Sequence, residues 1–399
     1  MTKKHITALT PPISKLGFGC MRLPMLPDGK GIDKAAATKM LDYAYEHGVN
    51  YFDTARNYLG GESEPFVGSV LKKYPRDSFY LTTKMPAWLV NNLSEAKKLF
   101  EHQLELCQVD YFDVYLLHSL GNRDTFERIY LKEKVLEELQ REKRAGRIRY
   151  LGFSFHGSLD FLRYLLDEFS WDLVQLQLNY MDWDIQNARV QYEMVRAKGL
   201  PCAVMEPIRG GALATLNDQA AAILRQAAPE RSLASWALRY VGSLPGILTV
   251  LSGMSTQEQV LDNLATMTDF QPITEAERAI LQQALEAYLQ ASPIPCTACA
   301  YCMPCPFGVD IPGNFALYNQ GMGKRLLSDM EQADAETAAQ KRAEWVKLWE
   351  SMPAEAEAGK CRSCGKCVPK CPQHIAIPER LKELQAVLTE ARKAQPKTP

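Results

Sequence analysis

Eight of the eleven cysteines fall between residues 296 and 371, in two runs: Cys296-x2-Cys299-x2-Cys302-x2-Cys305-Pro306 and Cys361-x2-Cys364-x2-Cys367-x3-Cys371-Pro372. Three thiolates at this spacing wrap one [4Fe–4S] cluster from a single loop, while the fourth, stiffened by proline, ligates the other cluster. The expected sets are therefore Cys296, Cys299, Cys302 and Cys371 for one cluster, and Cys361, Cys364, Cys367 and Cys305 for the second. The first run has two residues before its Cys-Pro where the second has three, a departure that bears on Cys305. Paired Cys-x2-Cys elements also build zinc sites with four ligands in a closed tetrahedron. Zinc, however, leaves the repeated triplet-plus-Cys-Pro grammar without a reason. A disulfide framework fits less well. The chain opens MTKKHITALT, without the apolar core of a signal peptide, and has no run long enough to span a bilayer. Reduced thiols and a cytoplasmic setting are expected. Cys20, Cys107 and Cys202 lie outside the runs and are read as small buried apolar residues.

A second constellation is spread through the first third of the chain. Asp53, Lys84 and His118 close successive strand-like runs, and Tyr58 follows the first of them in a loop. Together they describe a proton donor for a carbonyl. A tyrosine of ordinary pKa, about 10, is a poor acid near neutrality and needs a neighbouring cation to stabilise its phenolate. Lys84 can supply that charge, and Asp53 can hold Lys84 ionised and oriented. His118 can donate a hydrogen bond to the carbonyl oxygen as negative charge develops there. Each residue alone has a plain structural explanation, such as a loop cap or a satisfied polar strand end. All four in order at successive strand ends do not.

The elements that must position these residues alternate. Short apolar runs, Leu16–Met21, Tyr51–Ala55, Phe79–Lys84, Phe112–His118, Ile148–Ser154, Leu173–Asn179, Cys202–Pro207 and Ile247–Gly253, are separated by helical patterns such as Lys34–Glu46, Ser94–Cys107, Val135–Ala145, Asp184–Ala197 and Thr256–Ala265. Continuous rather than alternating apolar runs suit a parallel sheet buried on both faces. Eight such units in about 250 residues predict a closed (β/α)8 TIM barrel, whose catalytic groups stand at the C-terminal ends of its strands. A doubly wound open sheet would carry a glycine-rich phosphate turn after its first strand. Here Cys20-Met21-Arg22-Leu23-Pro24 stands in that place. The barrel is expected over 1–290, then a mainly helical ferredoxin-like iron–sulfur domain over 291–380, and a C-terminal helix and tail over 381–399. Ser292-Pro293-Ile294-Pro295 reads as the linker.

The stretches Leu16-Gly17-Phe18-Gly19, Phe52-Asp53-Thr54-Ala55 with Tyr58, Thr83-Lys84, Leu116-Leu117-His118, Gly146-Arg147-Ile148-Arg149-Tyr150-Leu151-Gly152-Phe153-Ser154, Gln175-Leu176-Gln177-Leu178-Asn179-Tyr180 and Ser252-Gly253-Met254 with Glu258, Gln259 and Asn263 resemble the aldo-keto reductase family over about residues 8–290. The resemblance implies a nicotinamide dinucleotide across the top of the barrel and Tyr58 as general acid. It implies that Ser154, Gln177 and Asn179 touch the nicotinamide carboxamide. By the same resemblance Ser252, Gly253 and Met254 line the phosphate region, Gln259 and Asn263 hold the adenine, and Gly19, Cys20 and Met21 join the cofactor site from the first strand. Two departures stand out. Where many members stack an aromatic ring on the nicotinamide, this chain has Met205, a softer thioether. After the glycine of the last strand, Met254-Ser255-Thr256-Gln257-Glu258 offers no cation for a 2′-phosphate, although Arg209 could swing in from the neighbouring loop. NAD and NADP both remain open, with Glu258 favouring NAD.

The net charge of −1, with charges of both signs interspersed, speaks against a nucleic-acid or membrane surface. The basic stretch Arg141–Arg147 reads as a solvated helix end with Gly146 after the cap. The combined expectation is an oxidoreductase that moves hydride to or from a small carbonyl or alcohol substrate, with the clusters as electron relay and an external redox partner such as ferredoxin. Hydride carries two electrons and clusters carry one, a mismatch that a flavin commonly bridges. No flavin fingerprint is legible. Purely structural clusters, or a barrel serving as a docking scaffold, are the competing readings.

Overall fold

The computed structural model of the chain describes residues 6–289, 294–324, 326 and 334–393. All eight expected strands form: β1 Leu16–Gly19, β2 Tyr51–Asp53, β3 Tyr80–Pro86, β4 Phe112–Leu120, β5 Ile148–Phe155, β6 Leu173–Gln177, β7 Cys202–Met205 and β8 Ile247–Ser252. They close a barrel in sequence order, every neighbouring pair parallel. β2, β3 and β6 are buried at every position, as strands covered on both faces must be, and their polar residues Asp53, Thr82, Thr83, Lys84, Gln175 and Gln177 are buried with the rest. Near the strand starts, Ile6, Tyr51, Tyr80, Val114, Leu116, Tyr150 and Leu173 pack into one apolar cluster that fills that end of the barrel.

Helices cover the strands, and their starts follow the capping residues. Lys34–Glu46 opens with Asp33 accepting from the Ala36 amide, Leu93–Cys107 with Asn92 accepting from Glu95, and Gln257–Met267 with Thr256 accepting from Gln259. Val135–Arg144 ends at Gly146, whose φ of +84° is the left-handed turn expected there. Its basic end is tied to Glu101, Glu138 and Glu142 by Arg141 and Arg147. The pattern read as one helix over Asp184–Ala197 divides into Asp182–Ile185 and Ala188–Ala197. Asn187 takes a left-handed φ of 54° between them, a conformation its short polar side chain tolerates.

By internal contacts the chain forms two compact units, Met1–Ile208 with Ala234–Thr274, and Arg209–Leu233 with Glu275–Pro399. In the second, the helices Asp218–Ala227 and Glu275–Leu289 lie together. Helices Ile311–Gly323, Ala335–Lys347 and Ile377–Lys393 enclose a separate core of Phe315, Trp345, Trp349, Leu381, Leu384 and Leu388. Gly321 makes that packing work, since a Cβ there would stand 1.9 Å from the Trp345 ring. Cys296, Cys302, Cys305, Cys361, Cys367 and Cys371 are half-buried against this core. The linker residues Ser292 and Pro293 and the tail beyond Lys393 lie outside the described residues. Among those described, no helix is long and apolar enough to cross a membrane.

Candidate active site

Because the barrel closes in order, the ends of all eight strands ring one mouth. Asp53 ends β2, Lys84 and His118 stand near the ends of β3 and β4, and Tyr58 opens a short 3-10 turn after β2. The structure brings these four together. The Lys84 ammonium, 1% exposed, donates to Asp53 Oδ1 at 2.7 Å, the Thr54 carbonyl at 2.8 Å and the Tyr58 hydroxyl at 3.1 Å. The Tyr58 and His118 rings meet edge to face at 6.0 Å. Trp88, from the loop after β3, lies 4.9 Å from His118 with about half its surface exposed.

Burial dominates the electrostatics. It raises the Asp53 carboxyl, against the pull of Lys84. The Tyr58 phenol is held well above its ordinary range by burial, then by Asp53 and Glu206, with Arg22 opposing. This corrects the expectation that Lys84 brings that pKa down. The ammonium is shared with Asp53, and the cost of burial outweighs what it offers the phenolate. Tyr58 therefore rests protonated. Burial, and then the Lys84 and His156 charges, drive His118 well below the usual histidine range, so it is a neutral imidazole.

Behind the quartet lies a network that spacing did not reveal. The buried Glu64 accepts from Thr83 Oγ1 and Gln103 Nε2, both at 2.6 Å, while Gln103 also donates to the Lys84 carbonyl and accepts from the Tyr115 hydroxyl. It locks the backbone that carries Lys84. Glu64 and Gln103 sit nineteen and more residues from Lys84 in sequence and become partners only through the fold.

Residues expected at the cofactor share the same mouth, some already engaged. Ser154, 2% exposed, accepts from the Ser119 amide at 2.7 Å. Gln177 and Asn179 direct their amide nitrogens to the buried Asp182, at 2.7 and 2.6 Å. Asn179 Oδ1 also accepts from the Met181 and Asp182 amides, so its side chain braces a turn. Met205 ends β7 and takes a weak hydrogen bond on sulfur from Gln175. Gly19 lies where β1 and β8 come close, Cys20 is fully buried, and Met21 is half-buried. Ser252 accepts from Asn263 at 2.9 Å, Gly253 and Gln259 are exposed, and Met254 is buried. Arg22, absent from the sequence argument, joins the two sides of the mouth. Its stem lies 3.1 Å from where a Gly253 Cβ would be, and its guanidinium pairs with Glu206 at 3.3 Å. A glycine whose missing Cβ leaves room for Arg22, that cation, and the N-terminus of Gln257–Met267 fit a nucleotide phosphate.

The cysteines lie in two neighbourhoods, with Cys302 of the first run also lining the concavity that Cys305, Cys361, Cys364 and Cys367 share. Cys302 senses the charges of Cys299, Cys296 and Cys371, whereas Cys367 senses Cys361, Cys364 and Cys305. In each run a left-handed residue two after the first cysteine, Ala298 at φ 51° and Ser363 at φ 51°, turns its amide to donate to that cysteine's sulfur at 3.4 Å. Amide hydrogen bonds to sulfur suit thiolates on a cluster. No three His, Cys, Asp or Glu side chains among the described residues converge on a single metal ion. Arg209, expected near the nucleotide, belongs by its contacts with the C-terminal unit. It is buried, and Gly210 beside it leaves no room for a Cβ, which would stand 2.1 Å from the Thr297 carbonyl. Burial pushes the Cys296 thiol up to about 11, and the Arg209 charge pulls against that shift. Cys20, Cys107 and Cys202 are buried as expected.

A barrel with this quartet at its mouth defines a class of carbonyl-handling oxidoreductase, and comparison agrees. The Aldo/keto reductase family matches residues 15–286, and the 4Fe-4S dicluster domain matches residues 295–377. The chain belongs to the aldo/keto reductase family and carries a C-terminal 4Fe-4S dicluster domain. It is 27% identical to L-galactose dehydrogenase of Arabidopsis thaliana over 68% of this chain and 91% of that protein. It is 24% identical to the NADH-specific methylglyoxal reductase of Escherichia coli over 69% and 95%. Among solved structures, the aldo-keto reductase AKR11C1 from Bacillus halodurans, in its holo form, superposes with a TM-score of 0.58 at 27% identity, covering 68% of this chain and 92% of that one.

Proposed function

We propose that the protein interconverts a small carbonyl and its alcohol by nicotinamide-dependent hydride transfer, and that two [4Fe–4S] clusters exchange single electrons with the same enzyme. The observation that carries the first part is the Lys84 ammonium held between Asp53 and Tyr58. The nicotinamide, when bound, supplies or accepts the hydride. In the reducing direction Tyr58 gives its proton to the carbonyl oxygen, and Lys84 stabilises the phenolate left behind. Asp53 fixes the ammonium, His118 donates to the oxygen as its charge grows, and Trp88 offers an aromatic wall to the substrate. Ser154 and Gln177 would orient the carboxamide, with Arg22 as the cation near the phosphates. Cys296, Cys299, Cys302 and Cys371 would hold one cluster, and Cys361, Cys364, Cys367 and Cys305 the other.

Anaerobic purification followed by iron, sulfide and flavin analysis tests this reading, together with mixing against NADH or NADPH and a panel of small carbonyls. The expected outcome is about eight iron atoms per chain, carbonyl-dependent oxidation of the nucleotide, and, with reduced nucleotide and no carbonyl, a change in cluster absorbance as each nucleotide oxidised gives one electron to each cluster and releases a proton. Turnover with a static cluster spectrum would leave the clusters as structure. Zinc in place of iron, or no turnover with any carbonyl, would overturn the proposal.

A further inference from the structure

We propose that the open side of the second cysteine set is the docking surface for an acidic one-electron carrier protein. The inference rests on the reading that Cys361, Cys364, Cys367 and Cys305 hold a cluster that exchanges electrons. Cys364 is the exposed member of the eight cysteines. A concavity lined by these four also carries Phe307, Arg362, Lys366 and Lys370, and no carboxylate. Phe307 at 45% and Val368 at 41% are the large apolar side chains left exposed in the C-terminal unit, among the described residues.

The local charge points to the chemistry of the partner. From Ala358 to Pro378 the chain carries Lys360, Arg362, Lys366 and Lys370 and no Asp or Glu, although its net charge is −1. All four cations are exposed, and none forms an ion pair among the described residues. Elsewhere in the same unit the cations Lys324 and Arg392 do pair, with Glu344 and Glu357. Phe307 beside Arg362, Lys366 and Lys370 in one concavity, with Val368 exposed between the two lysines along the chain, offers apolar surface among unpaired cations, complementary to an acidic surface. The first set has no exposed member, and Thr297 beside Cys296 is buried against the Gly210 turn. A carrier therefore reaches the second set. One electron then passes from the reduced centre of the carrier to the cluster, which is reduced by one unit while the carrier is oxidised by one. No bond is made or broken and no proton is required.

The test uses the full chain with both clusters and an acidic flavodoxin as probe, with binding measured by titration calorimetry. Affinity should fall steeply between about 0.05 M and about 0.5 M salt as the charges are screened. The double variant Lys366→Glu/Lys370→Glu should bind at least about tenfold more weakly. Its iron content, cluster paramagnetic spectrum and final extent of reduction by dithionite should match wild type. Lys366→Ala/Lys370→Ala should fall between the two. Unchanged affinity in both variants, or no flavodoxin binding by wild type at low salt, would overturn the docking surface and leave these cations serving the cluster alone. Flavodoxin binding that responds as expected, with a cluster spectrum that never answers to nicotinamide and carbonyl, would sink the electron exchange with the barrel and leave the docking surface standing.

Discussion

Replacing Lys84 by Met removes the ammonium while keeping most of the side-chain volume, and its consequences separate a catalytic cation from a structural one. The ammonium is 1% exposed, and Asp53 at 3% has Lys84 as its ion-pair partner. Breaking a buried pair by removing one member costs about 3–5 kcal/mol, because the remaining charge is stranded. In the variant Asp53 escapes by taking up a proton, a shift that burial already favours. Its folded-state pKa then lies above its unfolded value near 4. Such a group contributes stability that is whole below the unfolded pKa and is lost as pH rises through the folded one. Lys84→Met should therefore melt closer to wild type at about pH 5 than at about pH 8. Adding Asp53→Asn should recover most of the lost stability at pH 8 and none of the carbonyl turnover, which should stay about a hundredfold or more below wild type. Differential scanning calorimetry across this range, beside single-turnover kinetics, makes the comparison. Equal destabilisation at both pH values, or turnover restored by Asp53→Asn, would refute the reasoning.

Tyr58→Phe removes one hydroxyl from a site where Lys84 keeps two other acceptors, so stability should change by less than about 1 kcal/mol while carbonyl reduction falls roughly a hundredfold or more and nucleotide affinity holds. Since the Tyr58 phenol lies above its ordinary range and His118 below its own, the protonated phenol and neutral imidazole coexist across neutrality; kcat/KM for reduction should be flat from about pH 6.5 to about pH 9, and a limb inside that range would contradict the assignment. Cys364→Ser should lower iron from about eight to about four atoms per chain and weaken the C-terminal unit, measured by iron analysis and proteolysis. Arg209→Gln should lower the reduction potential of one cluster by tens of millivolts in a redox titration followed by paramagnetic resonance, since a lost nearby cation favours the oxidised state; an unchanged potential would show that Arg209 acts through packing alone.

Local rules went far in this chain because its chemistry is written locally. Helices opened by Asp33, Asn92 and Thr256 begin within one residue of where the periodic patterns placed them, and apolar runs of the right length became strands. Asn187 shows where the rule stops, since nothing in the helical period announces a left-handed residue. The helix Ser63–Leu71 was equally hard to read, because it is buried on nearly every side and so has no amphipathic face.

Strand order and the residues at strand ends were enough to specify a barrel with Asp53, Tyr58, Lys84 and His118 at one mouth. Cysteine spacing was enough to announce an iron–sulfur domain at the C-terminal end, because a loop of two residues between thiols permits few geometries. Tertiary structure alone decided what depends on burial and on partners distant in sequence. It set the Tyr58 phenol high instead of low, since burial, and then the Asp53 and Glu206 charges, outweigh the ammonium that Lys84 shares between Asp53 and Tyr58. It also joined Glu64 to Gln103 behind Lys84, turned Gln177 and Asn179 toward Asp182, and placed Arg209 with the cysteines. A pattern of residue types states which groups can meet, but the dielectric around them and the competition for each hydrogen bond exist only once the chain has packed.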